Sequence, residues 1–136
     1  MHCLIRTDGG ARGNPGPAGI GVVIEDADTG EVIEEHAKYL GRATNNQAEY
    51  KAVLLGLERC AELGAKEVDV LADSELLVKQ ANGEYRVKNV ELARLFMQLR
   101  NLEQAFKHVR YRHVRREQNK AADALANRAM DQGMGR

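Results

Sequence analysis

Apolar and polar positions follow two rhythms along this chain, and the switches between them divide it into nine segments. CLIRT (3–7) and GIGVVIEDA (19–27) cluster Val and Ile as strands do. DADTGE carries the Asp-Thr-Gly of a hairpin turn, and EVIEEHAKYL (31–40) alternates as a third strand. The period then lengthens in TNNQAEYKAVLLGLERCAELGA (44–65), where apolar residues recur at Ala48, Val53, Leu54, Leu57 and Cys60. That is a helix, capped by Thr44 or Asn45 and stopped by Gly64. EVDVLAD (67–73) is a strand and SELLVKQAN (74–82) a helix ending before Gly83. VELARLFMQLRNLEQA (90–105) is a helix whose stripe Leu92, Leu95, Phe96, Leu99 and Leu102 belongs to the core. KHVRYRHV (107–114) alternates as a strand, and NKAADALANRAM (119–130) closes the pattern as a helix.

The order β-β-β-α-β-α-α-β-α predicts one α/β domain with a mixed sheet over residues 1–130, followed by a flexible tail at 131–136. Following the chain through this order brings four acids to one edge. Asp8 and Asp73 stand at strand ends, Glu49 lies early in the first helix and Asp123 early in the last. His113 reaches the same edge at the end of the last strand, whereas His2, His36 and His108 fall elsewhere. Ligands of open α/β sheets bind outside the carboxyl ends of the strands.

Composition narrows the class. The chain has 136 residues, 43% of them hydrophobic and 29% charged, as in an ordinary globular domain. No run of about 20 apolar residues is present to span a membrane, and the N-terminus reads as strand rather than signal peptide. Cys3 and Cys60 read as reduced thiols, which suits a cytoplasmic protein, and a monomer is expected. Net charge is +0, but residues 1–78 hold seven Lys/Arg against fourteen Asp/Glu, and residues 79–128 hold twelve against five. Such asymmetry points either to a polyanionic partner or to chance clustering on a solvated surface.

TDGGARGNPG (7–16) poses the choice between two chemistries: a backbone cradle for phosphate, or an acid at work. The loop has neither G-x-G-x-x-G nor G-x-x-x-x-G-K-[ST], and it leads into a strand rather than a helix. Its glycines and Pro15 and Pro17 are read as a tight turn that exposes Asp8. Helix N-termini favour an acid by about 0.3–1 kcal/mol, which accounts modestly for Glu49 and Asp123 but not for Asp8 or Asp73. Four converging carboxylates repel one another unless a cation offsets them, and an all-oxygen set suits Mg²⁺ or Mn²⁺. One central carboxylate bridging two ions ~3.5–4 Å apart is the arrangement that serves phosphoryl transfer.

TDGGARGNPGPAGIG, ATNNQAEYKAVLLGL, LADSELLV and HVRREQNKAADALA closely resemble the four signature segments of type 1 ribonuclease H, in the family's order and over nearly the whole chain. The resemblance implies an α/β ribonuclease H-like fold, a five-stranded mixed sheet ordered 3-2-1-4-5 and flanked by helices. It implies cleavage of the RNA strand of RNA/DNA hybrids with divalent metal ions. Asp8 would bridge two ions, Asp123 would complete one site, and Glu49 with Asp73 the other. His113 matches the family's flexible histidine, which assists water activation or product release. Asn14, Asn45, Asn46 and Gln47 match positions that contact the hybrid, some of them near the ribose 2′-OH.

Two departures from the family bear on affinity. The long basic, Trp-containing protrusion of many bacterial members is reduced here to NGEYRVKNVE, and the chain has no Trp. Hybrid binding is then expected to rest on Lys79, Arg86, Lys88 and nearby cations. Glu75 also stands where an amide is frequent, which puts one substrate contact in question. In RYRHVRREQNK, the cations Arg112, Arg115, Arg116 and Lys120 serve either as the charged face of an edge strand or as phosphate contacts. Arg115 and Arg116, in the loop beside His113, are assigned to the substrate. Tyr50 and Tyr85 can stack or pack. The chain is expected to be a hybrid-specific endoribonuclease leaving 5′-phosphate and 3′-hydroxyl ends. Two rivals are a metal nuclease of the same fold acting on DNA and a catalytically silent hybrid-binding module.

Overall fold

The computed structural model describes residues 1–135 and folds them around a five-stranded sheet of order β3-β2-β1-β4-β5. The strands are β1 (His2–Ala11), β2 (Gly16–Asp26), β3 (Val32–Ala43), β4 (Glu67–Ala72) and β5 (His108–His113). The first three form an antiparallel meander, while β4 joins β1 and β5 joins β4 in parallel. The helices are α1 (Asn45–Glu62), α2 (Glu75–Ala81), α3 (Val90–Glu103) and α4 (Lys120–Gly133), with a short 3₁₀ turn at Arg116–Gln118. Thr44 caps α1 through a reciprocal capping box with Gln47. Ser74 and Asn89 cap α2 and α3 in the same sense, each accepting from backbone N–H groups.

Alternation along β1 and β2 assigns the two faces of the sheet. Ile5 and Val22 meet α1 at Gly56, so α1, with α3 packed beside it, covers one face. Gly19 and Gly21 meet α4, which covers the other. The α3 stripe is core as its periodicity predicts: Leu92, Leu95 and Leu99 are buried, and Phe96 and Leu102 pack against them. Cys3 and Cys60 are both buried and free, and Cys3 Sγ donates to Met1 Sδ at 3.5 Å. Tyr50 packs rather than stacks: it is buried and donates to Gln80 Oε1 at 2.6 Å.

The structure corrects one expectation of placement. Asp8 does not end its strand, because β1 continues to Ala11 in register with β2, and Asp8 lies opposite Gly21. It is instead the first residue past the parallel ladder with β4, which stops at Thr7↔Ala72. The hairpin therefore carries the backbone onward while the neighbouring strand ends, and Asp8 faces the resulting opening. At the C-terminus, α4 takes in Asp131–Gly133 of the expected tail, held by the Arg12–Asp131 ion pair at 2.5 Å and by the Tyr39 ring against Gly133. Arg136 lies outside the described residues.

Candidate active site

Asp8 on β1, Glu49 on α1, Asp73 directly after β4 and Asp123 in the first turn of α4 line one cleft of about 430 Å³. Each reaches it for a local reason. α1 can approach β1 closely because residue 9 is glycine: a Cβ there would stand 2.5 Å from the Ala48 carbonyl, one residue before Glu49. α4 can approach β2 because residue 21 is glycine, where a Cβ would stand 2.1 Å from the Ala122 carbonyl oxygen, one residue before Asp123. Gly21 is the cross-strand partner of Asp8 itself. Glycines on the two faces of the sheet thus seat both helical carboxylates around the central one. The sequence pattern places Gly9 in a tight turn and Gly21 in a strand; their packing role depends on the partner helices.

Asn119 supplies a further tie that the sequence did not single out. It is fully buried, and its amide donates to the Thr7 carbonyl at 2.7 Å, fastening the start of α4 to the residue before Asp8. Its Oδ1 has no hydrogen-bond partner among the described residues. Asn127 Nδ2 donates to the Asp123 backbone carbonyl at 3.0 Å and to its carboxylate at 3.3 Å, fixing that side chain from the next turn. An Asn at a helix start, four residues before an acid, is the only sequence signal pointing to Asn119; its burial shows in the structure alone.

The electrostatics of the cleft are those of crowded, half-buried acids. Burial raises the Asp8 carboxyl above the ordinary range, and Asp73, Asp123 and Glu49 raise it further by repulsion, Asp123 also by sharing a hydrogen bond. Burial likewise pushes Glu49 up to about 7, opposed by a hydrogen bond from Ser74 and helped by Asp73. Among the described residues no three carboxylate, imidazole or thiol groups are drawn into a closed metal cluster; the carboxylates stand around an open cleft. The donor set fits hard divalent cations, because it is all oxygen and holds protons that a cation would displace. Arg116 also lines the cleft and approaches Asp123 at 3.6 Å.

The remaining predicted residues separate into two groups. Asn45 lines the cleft and accepts from the Ala11 N–H at 2.7 Å, while Asn14 accepts from the Asn45 N–H at 3.1 Å, so both brace the loop against α1. Asn46 is exposed at the same helix start. Gln47 turns away from the cleft: its oxygen accepts from the Thr44 N–H at 3.0 Å and its nitrogen donates to Glu91. His113 lies at the end of β5, opposite Ala72 and exposed, near Glu75, whose carboxyl is lowered chiefly by Lys79 and slightly by His113. Arg115 is exposed beside it. Lys79 is engaged by Glu75 at 3.0 Å and lies over the Tyr85 ring at 4.9 Å. Arg86 and Lys88 are exposed in the short α2–α3 connection.

A sheet of order 3-2-1-4-5, with carboxylates gathered where its parallel strands end and helices on both faces, defines the ribonuclease H fold. The profile of a family described as reverse transcriptase-like matches residues 6–129. The bifunctional protein Rv2228c of Mycobacterium tuberculosis is 47% identical over 131 residues, 96% of this chain and 36% of that protein. A ribonuclease H of Rhizobium etli is 33% identical over 144 residues, covering 96% of this chain and 92% of that one. LC11-RNase H1, solved in complex with an RNA/DNA hybrid, superposes with a TM-score of 0.92 at 42% identity, covering 97% of this chain and 99% of that one. The chain belongs to the ribonuclease H family. It spans about a third of the length of the mycobacterial relative.

Proposed function

We propose that this chain hydrolyses the RNA strand of RNA/DNA hybrids. The observation that carries the reading is the central position of Asp8, partly buried and repelled by three further carboxylates in one cleft. Structural needs alone would select against such a cluster, since each added negative charge disfavours the others and also a polyanionic ligand. Asp8, Glu49, Asp73 and Asp123 would together hold two Mg²⁺ or Mn²⁺ ions, which neutralise charge at the scissile phosphate and make water a competent nucleophile. Asp8 would serve both ions, Asp123 would help hold one of them, and Glu49 with Asp73 would help hold the other.

The rest of the chain positions and discriminates. His113, exposed at the rim, moves a proton to or from the reacting or departing group. Asn14, Asn45 and Asn46 present polar groups at the start of α1, and Glu49 and Asn46 stand where a ribose 2′-OH distinguishes RNA from DNA. Gln47 acts on this surface through the capping box and Glu91 rather than by pointing into the cleft. Arg115 and Arg116 contact backbone phosphates. In-line displacement of the 3′ oxygen leaves a 3′-hydroxyl and a 5′-phosphate. No described helix is long and apolar enough to cross a membrane, and the two buried free thiols suit a reducing cytoplasm.

End-labelled hybrid, incubated with Mg²⁺, with Mn²⁺ and with chelator, tests this directly. Cleavage of the RNA strand alone, dependent on metal and yielding ends that ligate as 3′-hydroxyls, is expected. Cyclic phosphate ends would overturn the mechanism, nicked DNA the substrate, and tight binding without cleavage the enzyme.

A further inference from the structure

Asp123, Asn127 and Asp131 recur at four-residue spacing along one face of α4, and Arg12 of the β1–β2 hairpin reaches across to the last two. Its Nη1 donates to Asp131 Oδ1 at 2.5 Å and to Met134 Sδ at 3.6 Å. Its Nη2 donates to the Asn127 carbonyl oxygen and to Asn127 Oδ1, both at 3.5 Å. Asn127 passes the contact on, because its Nδ2 donates to Asp123 Oδ2 at 3.3 Å. The hairpin is shaped to hold Arg12 there. Its N–H donates to the Pro17 carbonyl at 2.8 Å, and residue 16 is glycine, where a Cβ would stand 2.2 Å from the Arg12 carbonyl oxygen.

A side-chain amide has a donating and an accepting end, and the neighbours of Asn127 tell them apart. A guanidinium, which only donates, faces its oxygen, and a carboxylate, which accepts when ionised, faces its nitrogen. Turned the other way, Asn127 would set its oxygen against the Asp123 carboxylate and its nitrogen against the Arg12 cation. Arg12 therefore fixes which end of Asn127 meets Asp123. It has little left to offer a substrate: its side chain is 29% exposed and both terminal nitrogens are engaged by α4. Arg116 differs, since it stands 3.6 Å from the other oxygen of Asp123 with 79% of its side chain exposed.

We propose that Arg12 and Asn127 are positioning residues for Asp123: Arg12 orients the Asn127 amide, and the amide holds the carboxylate in the direction that serves its metal ion. The inference rests on the two-ion reading above. It concerns the groups behind a ligand, which in metal sites set the ligand's orientation and carry about 10–100-fold in metal affinity or activity. Arg12 belongs to the same hairpin connection as Asn14, so the relay also ties the loop assigned to the hybrid to the helix that carries Asp123.

The test is calorimetric titration of Mn²⁺ into the full chain without hybrid, comparing the unmodified protein with Asn127→Ala, Arg12→Ala and the double variant. Each single variant should raise Kd about tenfold, and the double variant no further than Asn127→Ala alone, because Arg12 acts through Asn127. Arg12→Lys keeps a cation for Asp131 but lacks the second nitrogen that faces Asn127. Its Tm in chelator should stay near that of the natural chain while Kd still rises. Tyr39→Ala frees the end of α4 at Gly133 without touching the relay, and should lower Tm with Kd unchanged. In cleavage assays the relay variants should need more Mg²⁺ for half-maximal rate, with KM for the hybrid unchanged. A natural Kd in Asn127→Ala, an additive loss in the double variant, or an equal rise in Tyr39→Ala would overturn the proposal. So would weaker hybrid binding by Arg12→Ala, read by anisotropy in chelator, which would make Arg12 a substrate contact. No Mn²⁺ binding by the unmodified protein removes the two-ion reading and the relay together, whereas binding that the variants leave untouched removes the relay alone.

Discussion

Asp8 stands amid three further carboxylates in one cleft, and its replacement separates charge from shape. Asp8→Asn keeps the side chain's size but removes the central negative charge, so cleavage is expected to fall by at least about 10³-fold, the scale of losing a principal electrostatic group. Hybrid affinity is expected to hold or to rise slightly, read by anisotropy; substantial residual turnover would remove Asp8 from the centre of the site. The same residue sets a pH dependence. Both Asp8 and Glu49 bind protons more tightly in the folded metal-free chain than ordinary carboxyls do. With folded values above unfolded ones, the folded state holds more protons, and stability falls as pH rises. For Glu49 that decline runs between the ordinary value of 4.5 and about 7. Thermal melts in chelator should therefore show Tm dropping across this window in the natural chain and dropping less in Asp8→Asn. His113 belongs to a different class of effect. It is exposed and outside the carboxylate cleft, so His113→Ala should slow turnover by ~10²–10⁴-fold while leaving hybrid affinity and Tm unchanged. A loss equal to that of Asp8→Asn would make it a ligand or a structural residue.

At the scale of elements, the close approach of α1 and α4 to the sheet turns a collection of acids into a site. Gly21→Ala drives a methyl into the Ala122 carbonyl, a backbone atom that cannot rotate away. Urea melts are expected to show about 1–3 kcal/mol of destabilisation, the usual cost of overpacking. Activity should fall by more than stability explains, because the displaced turn carries Asp123. Gly30→Ala, at an open hairpin position with no neighbour within 4 Å but with φ of +76°, supplies the contrast: backbone strain without any movement of α4. If Gly30→Ala and Gly21→Ala reduced kcat alike, helix seating would not be what positions Asp123.

For the whole molecule, the acid-rich cleft couples metal binding to folding. A ligand held only by the folded chain adds stability as RT ln(1 + [L]/Kd), about 2.7 kcal/mol at a hundredfold excess over Kd. Mg²⁺ or Mn²⁺ should accordingly raise Tm in proportion to the logarithm of metal concentration, and Asp8→Asn should flatten that rise. A Tm indifferent to metal in the natural chain would mean that the cleft does not hold ions in the folded protein.

How much of this was legible beforehand differs between the periodic and the convergent features. The nine elements and the core stripe of α3 come from the chain's own rhythm, because a helix or strand turns a fixed angle per residue and local spacing alone marks its buried face, whereas the choice of Thr44 over Asn45 as the cap of α1 belongs to the structure. The resemblance of four segments to type 1 ribonuclease H, together with element order, also brought Asp8, Glu49, Asp73 and Asp123 to one edge. Other features depended on what lies opposite in space. That Gly9 and Gly21 are packing residues, that Asn119 ties α4 to Thr7, that Gln47 turns to Glu91, and that Asp8 sits within a strand beside the end of another were decided by partners tens of residues away. Sequence fixes what each residue can do through bonds to its neighbours along the chain; contact across the fold selects which of those capacities is used, because close approach and charge repulsion act through space.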